Sequence, residues 1–531
     1  MSGNIFKSLA TVSGMTMASR VLGFARQILM AGIIGAGGNP VADAFWAAFR
    51  LPNMFRRLFA EGAFHAAFIP MFQGRRTDGG EAEAKAFAEE VLAGLIFILT
   101  ILTALVEIAA PLFVYLIASG FEDNPDKFQL TTLYTRIMFP YLMLMSLVGL
   151  YSGVLNSLSR FAASAAAPIA LNVFMIGALL LYADAETEIS GLAVAWGVAA
   201  GGLAQFMLLL LGAWRQGYLL KLKTPRLTPA MKRLFALGAP GFISAGALQI
   251  NLIVGTNIAS QEQGAVSWLM NADQLYQLPL AVIGIALGVV LLPMLSARVK
   301  SGDEKGAARA LNRALELSAL LAIPAAAAFV IMGEAICDAL FRGLAGDALS
   351  LVGVRRSAFT QEDVAMTGAA LAIFGAGLPA FVWLKIFAPA YFAREDTKTP
   401  MKYALIAIAV NTGLSLALFP FFGFLAVAGA TSFAAWLQVT LLAQRLYRLH
   451  LFRPSAKLMA RFARILLSVA GLAAFLLWAL PQTEAISAFL WGREWLAVAA
   501  LVGAGLVLYG ALALALGAAR PGDYKTGAAG K

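Results

Sequence analysis

The chain has 531 residues, of which 60% are hydrophobic and 13% charged, with a mean hydropathy of +0.78. Soluble proteins average about 25% charged and about 45–50% apolar residues, so this surplus excludes a water-soluble fold, and with it a soluble nucleic-acid binder, despite a formal net charge of +11. One cysteine, Cys337, excludes an internal disulfide and a cysteine-based metal cluster, and two histidines, His65 and His450, leave no zinc ligand set, so no cofactor or metal is expected.

A helix crossing the hydrocarbon layer needs about 20 mostly apolar residues. In chain order such runs lie near 13–36, 41–72, 84–118, 130–158, 162–183, 189–214, 230–258 and 265–297. They continue near 306–335, 361–392, 399–419, 424–447, 458–480 and 492–517. The expected fold is therefore an all-α polytopic membrane protein with 14 transmembrane helices. Arg20 and Arg26 interrupt the first run where a cleaved signal peptide would need an apolar stretch.

The loops test that count through the bias of Lys and Arg toward the cytoplasm. Basic segments follow the even-numbered spans: Arg75/Arg76, Arg160, Arg215–Arg233, Arg298–Arg313, Arg394–Lys402 and Arg445–Arg464. The odd-numbered loops are acidic or nearly neutral, as in Glu122-Asp123-Asn124-Pro125-Asp126 and Asp184-Ala185-Glu186-Thr187-Glu188. The loop near 336–360 is the least clean, with Arg342, Arg355 and Arg356. This alternation puts both termini in the cytoplasm, and the basic loops read as topology plus attraction to anionic headgroups.

Two stretches repeat. Ala42-Asp43-Ala44-Phe45-Trp46 leads to Leu51-Pro52 and Ile69-Pro70-Met71-Phe72, as Ala272-Asp273-Gln274-Leu275-Tyr276 leads to Leu278-Pro279 and Leu292-Pro293-Met294-Leu295. Pro140 and Asn172 are spaced as Pro379 and Asn411 are. The expected domains are thus an N-terminal lobe at 1–220, a C-terminal lobe at 221–450, and a final helix pair with a cytoplasmic tail at 451–531. Transporters built from repeats bind substrate between them near the midplane.

Within the spans stand Arg20, Arg26, Arg50, Arg56, Arg57 and Lys385. Each costs about 2.5–3.5 kcal/mol at the bilayer centre on the mild insertion scale, so such residues face a partner or a water-filled cavity. Asp43 is expected to pair with an arginine, and Arg57 with Glu61 one helical turn on. Arg20, Arg26 and Arg56 lack an obvious neutraliser nearby. A basic cluster in a cavity calls for an anionic ligand, and arginine's planar fork suits phosphate. Gly23 and Pro52 allow the helices to bend round such a cavity.

The stretch Met15-Thr16-Met17-Ala18-Ser19-Arg20-Val21-Leu22-Gly23-Phe24-Ala25-Arg26 resembles the opening of the MurJ/MviN family. So do Asp43-Ala44-Phe45, Phe49-Arg50-Leu51-Pro52-Asn53, Arg56-Arg57 and Phe59-Ala60-Glu61-Gly62-Ala63-Phe64. Val266-Ser267-Trp268, the Pro279–Pro293 segment and Ala388-Pro389-Ala390-Tyr391-Phe392-Ala393-Arg394 through Lys398-Thr399-Pro400 extend the likeness nearly end to end.

The resemblance implies a lipid II flippase of the multidrug/oligosaccharidyl-lipid/polysaccharide exporter superfamily: two six-helix lobes round a central cavity, with a final helix pair forming a hydrophobic groove. Its substrate would be undecaprenyl-pyrophosphate-linked disaccharide-pentapeptide, moved between leaflets of the bacterial inner membrane without bond chemistry. Its partners would be this lipid, membrane lipids and the cell-wall synthesis machinery, with no nucleic acid. Arg20, Arg26 and Arg56 carry over as cavity arginines; Asp43, Arg50, Asn53, Glu61 and Asp273 match the substrate-binding polar set more loosely.

One departure stands out. Better-known members carry an arginine after Asp273 and a glutamate three residues later; this chain has Gln274 and Gln277, so one cavity cation is missing. Glu107 in the third span has no family counterpart and reads as the partner of a neighbouring polar group, with a proton or cation site as the alternative. The alternative substrates are another lipid-linked oligosaccharide or an amphipathic small molecule. An embedded glycosyltransferase or phosphatase would need carboxylates or histidines grouped at one face, and these are dispersed here.

Overall fold

The structure, a computed structural model, describes residues 2–59, 63–354 and 357–520, leaving out the side chains at 2–10, 55, 57–59, 63, 240–248, 285, 286 and 289. No strand occurs among the described residues. The helices are α1 (Ser2–Ile34), α2 (Pro40–Phe59), α3 (Ala63–Ile108), α4 (Ala110–Ile117), α5 (Pro125–Met138), α6 (Tyr141–Ser157), α7 (Ala162–Leu181), α8 (Thr187–Arg215) and α9 (Pro229–Ala259). Then come α10 (Ala265–Leu280), α11 (Ala286–Lys300), α12 (Glu304–Cys337), α13 (Ala345–Ser350), α14 (Gln361–Phe392), α15 (Lys398–Phe422), α16 (Leu425–Arg448), α17 (Ala456–Ala479), α18 (Thr483–Phe489) and α19 (Glu494–Ala515).

Local chemistry explains where these helices begin and break. Asn124 caps α5 by accepting from the Lys127 N–H, with Pro125 in the first turn, where its missing donor costs nothing. Thr360 and Asp363 form a reciprocal capping box at the start of α14. The fourth span breaks at Phe139–Pro140 into α5 and α6, whereas α14 carries Pro379 without interruption. The eighth span is split into α10 and α11 by a π-helical segment at Ala281–Ile285, just beyond Pro279.

Several expected boundaries move. Of the second span expected over 41–72, α2 is described to Phe59 and α3 from Ala63, and 60–62 lie outside the described residues. Helix α3 continues past Arg75 and Arg76 and bends at Gly80 (φ 78°, ψ −175°), a backbone conformation open to glycine alone. The loop expected at 336–360 is largely helical, as a π segment at Asp338–Leu344 followed by α13. Eleven helices among the described residues are long and apolar enough to span a membrane. Helices α2, α9 and the α10–α11 pair are not among those eleven; each contains side chains left out above, and the eleven do not exclude the expected fourteen.

The chain divides into two compact units: Met1–Ser267 with Ala345–Phe359, and Trp268–Leu344 with Thr360–Lys531. The lobes expected from span count divide it at 220 and 450; compactness groups α9 with the first unit. Arg50 donates to the Leu252 carbonyl at 3.1 Å, Ser119 Oγ donates to Asn257 Oδ1 at 3.1 Å, and Asn257 Nδ2 donates to the Leu116 carbonyl at 3.2 Å. Ile253 packs on a core of Leu51, Leu99, Val106, Ile117, Phe139 and Leu142. Segment 345–359 joins the same unit through Gly32 and Gly35. The Ala358 N–H donates to Gly32 O at 2.6 Å, and a Cβ on Gly35 (φ +76°) would stand 2.8 Å from Ala358 O.

In the second unit α12, α17 and α19 share a core that includes Leu320, Met332, Ile465, Val469, Leu472 and Leu501. Tyr509 donates its hydroxyl to the Leu320 carbonyl at 2.7 Å, fixing α19 on α12. Large apolar side chains such as Ile108, Leu181 and Val507 stand exposed, as they must where hydrocarbon rather than water is the solvent.

Candidate functional site

Asp43 sits in the first turn of α2 and is fully buried. Its Oδ2 accepts from Lys127 Nζ at 2.6 Å and from the Gly264 N–H at 2.8 Å; its Oδ1 accepts from the Ser267 N–H at 2.9 Å and Ser267 Oγ at 2.7 Å. Two of those donors are backbone groups at the start of α10, where a carboxylate also meets the positive end of the helix dipole. The arginine expected to pair with Asp43 is therefore replaced by Lys127, whose ammonium also lies 4.1 Å from the centre of the Phe121 ring. With four donors in place, Asp43 staples the starts of α2, α5 and α10, and its lone pairs are committed to the fold.

Arg26 is different. On half-buried α1 its guanidinium reaches α7, donating to Asn172 Oδ1 at 3.1 Å and to the Met175 sulfur at 3.6 Å. Asn172 is buried and donates its Nδ2 to the Ser19 carbonyl at 3.1 Å, so its amide is oriented from both sides. Gly23 lies beside it: a Cβ there would stand in ordinary contact with the Asn172 amide, at 3.7 Å. Arg26 Nε is buried with no hydrogen-bond partner, and no carboxylate pairs with Arg26 among the described residues. A positive charge is thus oriented by a neutral amide, with no counter-ion among the described residues.

Arg20 lies on α1, exposed, and its side chain makes no hydrogen bond or ion pair with a described residue. Six residues separate it from Arg26, so the two point about 120° apart round the helix. On α2, Arg56 Nε donates to Asn53 Oδ1 at 3.1 Å, one turn back, and Arg50 is spent on the Leu252 carbonyl of α9. Arg50, Asn53 and Arg56 are half-buried. Glu61 and the side chain of Arg57 fall outside the described residues.

In the second unit Asp273 accepts from Gln277 Nε2 one turn along α10. The glutamine that stands where the resemblance has a glutamate is therefore engaged with Asp273 itself. Trp268 donates its indole N–H to Asp363 Oδ1 at 2.7 Å, tying α10 to the cap of α14. Glu107 has Arg136 as its polar neighbour, which donates Nε to the Glu107 backbone carbonyl at 3.2 Å. Lys385 is exposed on α14, with its stem 3.4 Å from where a Cβ on Gly284 would be.

Lys127 and Asn172 were not among the expected site residues. Lys127 had one signal, a lone cation in an otherwise acidic loop. Asn172 was visible as a repeat marker matched by Asn411, but the two differ in use: Asn411 accepts from Thr431 Oγ1 at 3.4 Å.

Comparison with known proteins follows the same lines. The family described as "Lipid II flippase MurJ" matches residues 30–492. A "Probable lipid II flippase MurJ" of Rhizobium meliloti (strain 1021) is 42% identical over 525 residues, covering 97% of this chain and 95% of the relative. One of Rhizobium tropici is 45% identical over 448 residues, 84% of this chain and 81% of the relative. The "Lipid II flippase MurJ" of Burkholderia cenocepacia is 35% identical over 481 residues, 90% of each. Among solved structures, "Lipid II flippase MurJ, inward closed conformation" superposes with a TM-score of 0.76 at 23% identity, covering 94% of this chain and 97% of that one. An inward-facing transporter of the multidrug resistance MATE family gives 0.65 at 13% identity, covering 83% and 98%. These two likenesses concern the fold.

Proposed function

The chain belongs to the lipid II flippase MurJ family, and we propose that it carries undecaprenyl-pyrophosphate-linked peptidoglycan precursor from the cytoplasmic to the periplasmic leaflet of the bacterial inner membrane by alternating access. It is a multi-pass membrane protein and a transporter, not an enzyme. The observation that carries the substrate reading is the guanidinium of Arg26, held by Asn172 and Met175 with no counter-charge among the described residues. Such a group is oriented before the ligand arrives, and a pyrophosphate oxygen supplies the missing negative partner.

In this reading Arg20, Arg26 and Arg56 bind the pyrophosphate. Arg50, Asn53, Glu61 and Asp273 serve as surrounding polar contacts, and Asp43 keeps the helix ends in place. The moving bodies are the lobes at 1–220 and 221–450. They rock about the helices punctuated by Gly and Pro. The lipid tail stays in the bilayer or against the final helix pair within 451–531. Both termini lie in the cytoplasm, on the side of the basic loops. An inside-negative potential favours outward transfer of negative charge by about 2.3 kcal/mol per charge per 100 mV. An amphipathic small molecule without a phosphate would need no such arginine geometry in the first two spans.

The test is transport of the headgroup in vesicles carrying the purified chain. Arg26→Ala is expected to abolish transport while the protein inserts normally, and Arg26→Lys to keep part of the binding without bidentate geometry. Parental transport by Arg26→Ala, or equal transport with the potential collapsed, would refute the pyrophosphate site or the electrical drive respectively.

A further inference from the structure

Three of the basic connections read from sequence as topology markers meet in one place within the first unit. A hollow of about 580 Å³ is lined by Arg76, Glu81 and Lys85 of α3, by Arg160 between α6 and α7, and by Gln216 and Tyr218 after α8. Beside it a second hollow of about 370 Å³ shares Arg160 and Gln216, adds Arg215, and is walled by Leu155, Phe161 and Ala162. Four cations therefore face one carboxylate.

The hollow is built by the fold. The Gly80 bend turns Glu81 and Lys85 back toward the ends of α6 and α8. Lys85 Nζ donates to Gly217 O at 3.0 Å, and Gln73 Nε2 donates to Ser157 O at 2.7 Å. Arg76 is occupied by Glu81 at 2.6 Å and by Ser157 O at 3.4 Å. Ser159 (φ 59°) and Gly217 (φ 77°) close the two helix ends in left-handed turns. Against this fixed frame the side chains of Arg160 and Arg215 are exposed and make no hydrogen bond or ion pair with a described residue. Trp214, 60% exposed, stands beside them in the last turn of α8, a residue type that favours the membrane–water interface.

We propose that the adjoining hollows bind the phosphate-bearing headgroup of an anionic phospholipid, with Arg160 and Arg215 on the phosphate. The glycerol and first methylenes lie along Leu155, Phe161 and Ala162. The combination of free arginines with an apolar wall at the ends of three spans favours a lipid over a soluble anion, because a free phosphate would gain nothing from that wall. This site is separate from Arg20, Arg26 and Arg56 and does not depend on the transport reading.

The experiment uses the full chain in nanodiscs of phosphatidylcholine with and without phosphatidylglycerol, followed by native mass spectrometry of the lipids retained. The parent is expected to retain phosphatidylglycerol preferentially. Arg160→Ala/Arg215→Ala should lower that preference by about 30-fold, the combined effect of two interfacial cations, while its melting temperature stays unchanged. Arg160→Lys/Arg215→Lys should keep most of it. Equal retention by the alanine pair and the parent would overturn the proposal. So would displacement of the lipid by millimolar inorganic phosphate that itself remains bound, which would mark a soluble-phosphate site. An acidic polyglutamate peptide that binds the parent but not the alanine pair, with phosphatidylglycerol retention equal in both, would point to a protein partner and overturn it too.

Discussion

Arg26 on α1 and Arg461, near the start of α17, are the same residue type on membrane helices, and the protein treats them in opposite ways. Arg461 is 9% exposed, donates to Glu316 Oε2 at 2.8 Å and to the Ala518 carbonyl at 2.7 Å, and shares Glu316 with Arg313 at 3.2 Å. Its charge is cancelled where it stands, and the result is a clamp holding the final helix pair on α12. Arg26 has an amide and a thioether instead. No described residue cancels it, and its cost of desolvation is left for a ligand to offset. A charged residue inside a span is therefore informative through its partner: a carboxylate marks architecture, a neutral group that only orients it marks a binding site.

The largest expected effect comes from breaking the architectural member of the pair. Glu316→Ala leaves Arg461 buried with its charge uncompensated and should lower stability by about 3–5 kcal/mol, read by denaturant unfolding in micelles. The same logic applies in the first unit. Lys127→Met should fall at the lower end of that range, because Asp43 keeps the donors from Gly264 and Ser267. Unfolding unchanged by either substitution would mean that these buried charges are hydrated and that the contrast with Arg26 is one of degree only.

The sequence legibly carried the membrane class and the arginines worth attention, because hydropathy and misplaced charge are local signals; the breaks expected at Gly23 and Pro52 are absent, since α1 and α2 run through both. What it could not carry was partnership across distant segments. Asp43 and Lys127 lie 84 residues apart, and Arg26 and Asn172 146 apart. A charge pattern read along one helix offers only neighbours three or four residues away. That is why Asp43 was matched to an arginine on its own helix rather than to a lysine in an acidic loop. Helix ends failed for a related reason: polar residues at 73–83 read as a loop in hydropathy, yet α3 continues through them and spends its bend at Gly80. Fine distinctions of this kind also separate Pro140, which breaks its span, from Pro379, which does not.

The middle-sized effect is on transport. Asn172→Asp would give Arg26 a carboxylate and convert it into a second Arg461. The variant should unfold no more readily than the parent, since the new ion pair offsets the lost donor to the Ser19 carbonyl. Headgroup transport should nevertheless fall roughly 10- to 100-fold, because an internal anion competes for the guanidinium with the strength of a charged hydrogen bond. Asn172→Leu separates orientation from charge. It removes the amide but adds no anion, and its transport should lie between that of Asn172→Asp and the parent. Undiminished transport by Asn172→Asp would place the pyrophosphate elsewhere.

The smallest effect comes from the reverse conversion. Glu316→Gln keeps the shape and one acceptor for Arg461 but removes the negative charge, giving it the kind of neutral partner that Arg26 has. The cost should be about 1–2 kcal/mol, well short of Glu316→Ala, because the guanidinium retains a hydrogen bond and the Ala518 carbonyl. Transport should change little, since Arg461 orients nothing toward a ligand in the proposed mechanism. If Glu316→Gln instead matches Glu316→Ala in unfolding, charge cancellation rather than hydrogen bonding is what a buried arginine requires here. An uncancelled Arg26 would then be costlier to hold, and its retention a stronger sign that a bound anion completes the site.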